Sequence, residues 1–451
     1  MVAVVHNRSN GKLCFVFIPS RYIFLLLMSL GLFLVYAFKG FLGVAIVAMV
    51  KHQNTSKLID SECPADDSEN GYNNNGKSGE FEWTDSQQTL VLGAFFYGYV
   101  VTQIPAGIAA EKIGAKWMFA LSLLITGILS LLGPVAARLG QNSIIPFFLT
   151  RLGQGLAQGM ILPCMNTMIA KWMPKTERSR AISITFAGSA MGSVVSLPLT
   201  GYLCDESFLG GWPAIFYLLG IAACVWVVFW ILFVFESPDT HPYISQIEYN
   251  LIKKGQGDEI ITSKRQIPWK SILTSYHVYA SIVAHFGFNW GYLTLLTLLP
   301  TYFTNILHMN IKTNGLISSL PYIANTIVSC LASYITDKLR ERGVNITLLR
   351  KINNSIAFFG TGIFLIAVIL SKCNKTWSIV FFVIGLGLNG CSYSGFLANY
   401  VDMAPDFAGI LMGFCNAFGN IPGFAAPQTA SLIYKNGQTL ETWSYSYNLG
   451  V

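Results

Sequence analysis

The sequence contains few charged residues. Of its 451 residues, 11% are Asp, Glu, Lys or Arg, whereas a soluble domain carries about 25%. Hydrophobic residues make up 53% of the chain and its mean hydropathy is +0.51, so its surface cannot face water throughout. This composition argues against a water-soluble enzyme and against a nucleic-acid-binding domain, although the net charge is +7.

The chain also lacks the clusters on which metal and nucleotide chemistry depend. No Cys or His spacing suits zinc, and no nucleophile can be matched with a base. Residues 71–78 fit the phosphate-binding pattern GxxxxGK[ST], but the strand that should precede such a loop and the helix that should follow it are missing. We therefore expect no metal, no cofactor, no bound nucleotide and no nucleic-acid partner.

The nine cysteines do not form a regular framework. Cysteines within apolar segments are expected to behave as small hydrophobic residues; these are Cys164, Cys224, Cys330, Cys391 and Cys415. Three others, Cys63, Cys204 and Cys373, lie in or near loops predicted to be external. A disulfide could form among these three, but spacing alone does not assign a pair.

Long apolar runs dominate what is present. About twenty apolar residues cross a bilayer, and eleven runs satisfy that rule, near 22–50, 88–110, 115–137, 143–171, 180–203, 212–235, 277–300, 313–335, 352–371, 376–399 and 407–434. The first run is too long for a signal-peptide core and no small-residue cleavage site follows it. We therefore predict a retained helix there and a polytopic, all-α membrane protein.

The loops between these runs alternate in charge. Basic residues concentrate in the N-terminus and in the loops after the second, fourth, sixth and eighth runs, which places those segments in the cytoplasm. The first loop on the opposite side, residues 51–87, is acidic and Asn-rich, a composition typical of a disordered external segment. Sequons at Asn54 and Asn374 lie on the predicted external side and are candidate glycosylation sites.

An internal repeat divides the chain. The second run ends with Glu111 and Lys112, and the eighth ends with the similar pair Asp337 and Lys338. Two parallel six-helix repeats are typical of the major facilitator architecture. The predicted organisation is a cytoplasmic N-terminus (1–21), an N-terminal helix bundle (22–236), a cytoplasmic linker (237–276), a C-terminal bundle (277–434) and a polar tail (435–451).

Several motifs resemble one family closely. They are EWT at 82–84, FFYGYVVTQIP at 95–105, RLGQGL at 151–156, KWMPKTERS at 171–179, HFGFNW at 285–290 and NYVDMAP at 399–405. Together they resemble the anion:cation symporter family of the major facilitator superfamily, the group of sialin, vesicular glutamate transporters and type I sodium–phosphate cotransporters, and in particular its invertebrate inorganic phosphate cotransporter type.

The resemblance implies a function and an architecture. It implies twelve spans, alternating access and small anionic substrates such as inorganic phosphate or sialic acid, driven by sodium, protons or membrane potential. Only eleven runs precede the end of this sequence, so the twelfth helix is expected to be missing. A truncated, non-transporting family member is the alternative, and an ATP-driven pump would require the rejected loop at 71–78.

Lys39 and Arg151 are the main candidate substrate-binding residues. Charged residues inside spans are rare and point to function. Lys39 lies mid-span, where the family typically has an arginine, and Arg151 corresponds to the family's arginine in the fourth span. Gln154 and Gln158 follow Arg151 on the same helical face. Sialin and the vesicular glutamate transporters carry a glutamate at the position of Gln158, and an amide cannot titrate, which disfavours proton coupling there.

The remaining candidates concern the second half and the helix ends. Asn289 is a candidate polar contact to substrate, and His285 a candidate coupling residue, since histidine changes charge near neutral pH; a packed core histidine is the alternative. Glu111, Lys112, Asp337 and Lys338 are candidate gating residues. The N-terminus contains no acidic dileucine signal, which favours the plasma membrane over endolysosomal or vesicle membranes.

Overall fold

The computed structural model is almost entirely helical. It describes residues 19–51, 79–139, 143–174, 177–206, 208–256, 268–403, 407–434 and 439–448. Eight of its helices are long and apolar enough to cross a membrane. Within the described residues, extended pairing is limited to a single bridge between Val50 and Phe81. The all-α prediction is confirmed.

The described residues of the first half form seven α-helices. They are α1 (Ser20–Met49), α2 (Asp85–Ile113), α3 (Ala115–Leu139), α4 (Ile145–Gln158), α5 (Ile161–Trp172), α6 (Arg178–Asp205) and α7 (Pro213–Phe233). Helices α4 and α5 are two parts of one predicted span. The interruption lies at Gly159 and Met160 because Pro163 has no N–H to donate to the Gly159 carbonyl.

Two short helices form the linker, α8 (Gln246–Gln256) and α9 (Trp269–Thr274). The second half then contains α10 (Tyr276–Asn305), α11 (Ile311–Glu341), α12 (Ile346–Ser371), α13 (Lys375–Asn389), α14 (Phe396–Met403), α15 (Ala408–Gly419) and α16 (Pro422–Ile433), followed by α17 (Leu440–Asn448). Pairs α13–α14 and α15–α16 each correspond to one predicted span. Residues 435–451, predicted as a polar tail, thus include a short helix whose Trp443 is buried.

Side-chain caps explain several helix starts. The Thr84 hydroxyl accepts from Gln87 N while Gln87 Oε1 accepts from Thr84 N, which forms a capping box at the start of α2. The side chains of Asn310, Asn345 and Asn374 cap α11, α12 and α13 in the same way. These caps satisfy backbone N–H groups that have no partner within the helix.

The helices pack into two bundles that meet along several helix pairs. Within each half, α1 packs on α6, α2 on α4, α3 on α7, and α12 on α13; between the halves, α6 meets α11, α2 meets α15 and α16, and α1 meets α10. We call the face where α1 begins, at Ser20, the proximal face. The face where α1 ends, at Met49, is the distal face.

Glycines allow close packing between several helices. A Cβ at Gly188 would lie 2.1 Å from the Ser29 carbonyl oxygen, and one at Gly192 would lie 2.2 Å from that of Phe33. Gly201 meets Gly315 across the halves in the same way. Gly413 has open space around it and makes no such contact.

Candidate functional site

Two cations are buried in the middle of the first bundle. Lys39 lies roughly 15 Å before the distal end of α1, and Arg151 lies roughly 9 Å after the distal start of α4. Their exposed fractions are 8% and 2%. In the described part of the chain, the other buried charged residues, Lys116 and Glu248, lie near the proximal ends of helices. The middle of the bundle therefore carries positive charge with no described buried acid to neutralise it.

The two cations share one aromatic ring. Lys39 Nζ lies 5.9 Å from the centroid of Phe95, and Arg151 Cζ lies 5.6 Å from the same centroid. The sequence motif that begins at Phe95 thus brings together residues from α1, α2 and α4. Aromatic faces attract cations without neutralising them, so both charges remain available to an anion.

Lys39 is surrounded by rings. Its ammonium lies 4.2 Å from the centroid of Tyr99 and 4.7 Å from that of Tyr36. Neither a salt bridge nor a hydrogen bond of Lys39 is found among the described residues. A lysine in this environment is a point charge whose N–H donors are unused.

Arg151 is held in one orientation by neighbouring helices. Its Nη1 donates to Gln154 Oε1 at 2.6 Å, and its Nη2 reaches the Phe38 carbonyl at 3.4 Å. Gln154 Nε2 in turn reaches the Thr126 carbonyl at 3.4 Å. Nε of Arg151 has no hydrogen-bond partner. The guanidinium is therefore positioned by α1, α3 and α4, and only two of its five N–H donors are used in these hydrogen bonds.

Gln158 is fully buried, and neither polar atom of its amide has a hydrogen-bond partner. An unpaired buried amide costs free energy, and such groups are common where a ligand binds. The structure thus places Lys39, Arg151, Gln154 and Gln158 in one bundle. Lys39, Arg151 and Gln154 form one cluster around Phe95 and Phe38.

The two predicted residues of α10 pack against the tenth and eleventh spans instead. His285 Nδ1 lies 3.1 Å from the Tyr400 hydroxyl, and Asn289 Nδ2 donates to the Gly419 carbonyl at 2.7 Å. A Cβ at Gly419 would lie 2.7 Å from the His285 ring. Both side chains therefore join helices of the second half, and no described contact links them to Lys39 or Arg151.

The other predicted positions lie away from this cluster. Asp337 and Lys338 are exposed near the proximal end of α11, where Lys338 Nζ donates to the Tyr334 hydroxyl at 3.2 Å. Asn374 is exposed near the distal face. Several other predicted positions lie outside the described residues: the side chains of Glu111 and Lys112, and Asn54, Cys63 and residues 71–78. Cys373 is disulfide-bonded, whereas Cys204 is a free thiol.

Sequence reasoning missed the tyrosines that complete the cluster. Tyr36 lies within electrostatic range of Tyr99 in the first half and of Tyr292 and Tyr393 in the second. These rings place the cations beside the interface between the bundles. Tyr36 precedes Lys39 by three residues, on the same helical face, and that spacing was the signal that could have revealed it.

Comparison with known proteins gives a consistent result. Residues 28–427 match the family model described as Major Facilitator Superfamily. The chain is 41% identical to a Drosophila ananassae protein named "Putative inorganic phosphate cotransporter", over 90% of this chain and 83% of that protein. It is 37% identical to sialin of Homo sapiens, over 91% of this chain and 82% of sialin. It is 34% identical to vesicular glutamate transporter 1 of Bos taurus, over 95% and 74% of the two chains.

Solved structures support the same architecture. A bacterial homolog of the human lysosomal transporter Spinster, in an inward-facing and occupied conformation, aligns with a TM-score of 0.68 over 96% of this chain and 93% of that one. A D-xylose–proton symporter aligns with a TM-score of 0.68 over 95% and 96%. Both are only 13% identical to this chain, so they establish the fold alone.

Proposed function

The chain belongs to the Major Facilitator Superfamily, in the group that includes sialin and the vesicular glutamate transporters, and from this we propose that it carries small anions across a membrane by alternating access. It is a multi-pass membrane protein that acts as a transporter rather than an enzyme. The observation that carries this proposal is the pair of buried cations, Lys39 and Arg151, beside the interface of the two bundles.

Electrostatics explain why this pair selects anions. Moving a charge into a bilayer core is costly, and two cations near one ring repel each other. An anion between the two bundles would offset both costs and replace the water that the charged groups lose. A cationic substrate would add a third positive charge at the same place, so the site rejects it.

We further propose an orientation and a driving force. Basic residues concentrate at the proximal face, for example Lys171, Arg178 and Lys338, and the positive-inside rule assigns that face to the cytoplasm. Gln158 carries an amide, which does not titrate and therefore cannot exchange a proton. We therefore expect a sodium gradient or the membrane potential to drive uptake. We also propose that the protein lies in the plasma membrane.

The test is uptake by purified protein in proteoliposomes. Labelled phosphate and labelled organic anions are offered under a sodium gradient, a proton gradient or a potential, each imposed separately. We expect at least one gradient to drive uptake of an anion. Lys39→Met should reduce this uptake at least tenfold, because losing a charge-assisted contact costs about 1.5–3 kcal/mol.

Lys312→Met is the matched control, because Lys312 is exposed near the distal start of α11 and should leave uptake unchanged. Folded protein that takes up no anion under any gradient would overturn the proposed function. Uptake that survives in Lys39→Met would support anion transport but overturn the assignment of Lys39 to the binding site.

A further inference from the structure

A second polar cluster lies beside Lys39, where the two bundles meet. The amides of Gln103 on α2 and Asn416 on α15 both approach the hydroxyl of Tyr99. All three side chains are at least nine-tenths buried, with exposed fractions of 3%, 7% and 2% respectively. The cluster thus joins the first half of the molecule to the second.

Three amide atoms of this cluster lack a protein hydrogen bond of normal geometry. Neither Nε2 nor Oε1 of Gln103 has a hydrogen-bond partner of normal geometry, and the same holds for Nδ2 of Asn416. Oδ1 of Asn416 is engaged, since it accepts from Asn420 Nδ2 at 2.9 Å. Buried polar groups in native proteins are normally paired, so three atoms in one place without a hydrogen bond of normal geometry indicate that a ligand completes them.

The chemistry of these atoms differs from that of the charged site. The Lys39 ammonium lies 4.2 Å from the Tyr99 ring, so one ligand can reach both the charge and the amides. Gln103 offers an acceptor as well as a donor, and only a ligand that carries O–H or N–H groups can satisfy an acceptor. Carboxylates accept hydrogen bonds without donating them, and phosphate is mainly an acceptor at neutral pH.

We propose that Tyr99, Gln103 and Asn416 form a hydroxyl subsite, which binds the neutral polar groups of the substrate while Lys39 and Arg151 bind its acid group. The preferred substrate is then an organic acid that carries several hydroxyl groups. This inference rests on the proposed function, whose site it extends. Because the subsite includes residues of both bundles, a hydroxylated anion bridges them and favours the closed state of the transport cycle.

Matched pairs of ligands test the subsite directly. Quinate and cyclohexanecarboxylate share a six-membered carbon ring and a carboxylate but differ in their hydroxyl groups, and glucuronate compares in the same way with tetrahydropyran-2-carboxylate. Binding of each to the purified full chain is measured by calorimetry or tryptophan fluorescence, with inorganic phosphate as a fifth ligand. For at least one pair, the hydroxylated member should bind about tenfold more tightly, as expected for one or two added hydrogen bonds.

Variants assign that preference to the subsite. Gln103→Met keeps the side-chain length and Tyr99→Phe keeps the ring that faces Lys39, and each should reduce the preference to about twofold or less. Gln428→Met is the matched control, because Gln428 lies on α16 and also has an unpartnered amide nitrogen; it should preserve the preference.

Each outcome separates the inference from the proposed function. Equal binding within both pairs, or phosphate binding tighter than either hydroxylated acid, overturns the hydroxyl subsite and leaves anion transport intact. A preference that persists in both Gln103→Met and Tyr99→Phe also overturns it. Failure of folded protein to bind any of the five anions would contradict the proposed function as well.

Discussion

At the scale of single residues, the two buried cations are held very differently. Arg151 uses two nitrogens to contact the Gln154 amide and the Phe38 carbonyl, so its direction is fixed. Lys39 contacts ring faces instead, so what matters at position 39 is charge rather than hydrogen-bond geometry. Arginine presents a planar fork of donors, whereas lysine is a compact point charge.

Reciprocal exchanges of the two side chains test this difference. Arg151→Lys keeps the charge but cannot reach both acceptors, so uptake should fall about tenfold or more, the cost of losing a charged hydrogen bond. Lys39→Arg keeps a charge that stacks well on tyrosine, so uptake should stay within roughly threefold of the original chain. The measurement is the concentration dependence of uptake for the anion that the gradient assay identifies. Equal losses in both variants would contradict the distinction.

The residues of the charged cluster could be named from sequence, but their partners could not. A lysine or arginine inside an apolar run stands out in a single sequence, as Lys39 and Arg151 do. Tyr99, Gln103 and Asn416 do not stand out, because tyrosines and amides are common in spans and their importance depends on which helices meet. For His285 and Asn289, the sequence could not show that the tenth and eleventh spans pack against them.

At the scale of elements, the linker helix α8 stabilises the start of α1. The Glu248 carboxylate accepts from Ser20 N at 3.0 Å and from Arg21 N at 2.9 Å. Pro19 precedes α1 and provides no side-chain cap, so a remote acid satisfies the free N–H groups. Glu236 caps α3 in the same way through Ala115 N and Lys116 N, and it also pairs with Lys171.

Removing the remote cap should destabilise the first bundle. Glu248→Ala should lower the free energy of unfolding by about 1–2 kcal/mol, and Glu248→Gln by less, because the amide keeps one acceptor but loses the favourable charge at the helix N-terminus. Thermal unfolding in detergent measures both. Glu82→Ala is the control: Glu82 pairs with Lys51 but its side chain is 77% exposed, so the change should stay within about 0.5 kcal/mol. Equal effects at both positions would argue against the cap.

Helix positions followed from the sequence more readily than these contacts. The eleven apolar runs correspond to the observed helices, since span length is dictated by bilayer thickness. The interruptions at Gly159 and Asn420 were not predicted, although Pro163 and Pro422 mark them. Glu248 was also missed, because nothing in an isolated linker sequence shows which helix end an acid will reach.

At the scale of the whole molecule, the two bundles meet in several close contacts. A Cβ at Gly43 would lie 2.8 Å from the Leu296 carbonyl oxygen, and the rings of Tyr97 and Phe424 stack at 4.3 Å. Gly201 and Gly315 add a third close contact between the halves. The contacts at Gly43 and Gly201 lie toward the distal ends of α1 and α6. Alternating access requires that they open while the proximal side closes.

The measurement that tests this account most directly is the accessibility of position 39. Lys39→Cys is placed in vesicles and treated with a membrane-impermeant thiol reagent that carries a fixed positive charge, applied to one face at a time. The original chain, with its native cysteines, provides the background. We expect labelling from either face, slowed by the transported anion, and partial recovery of uptake as positive charge returns. Labelling from one face alone, or labelling that the anion does not slow, would contradict an anion site with alternating access.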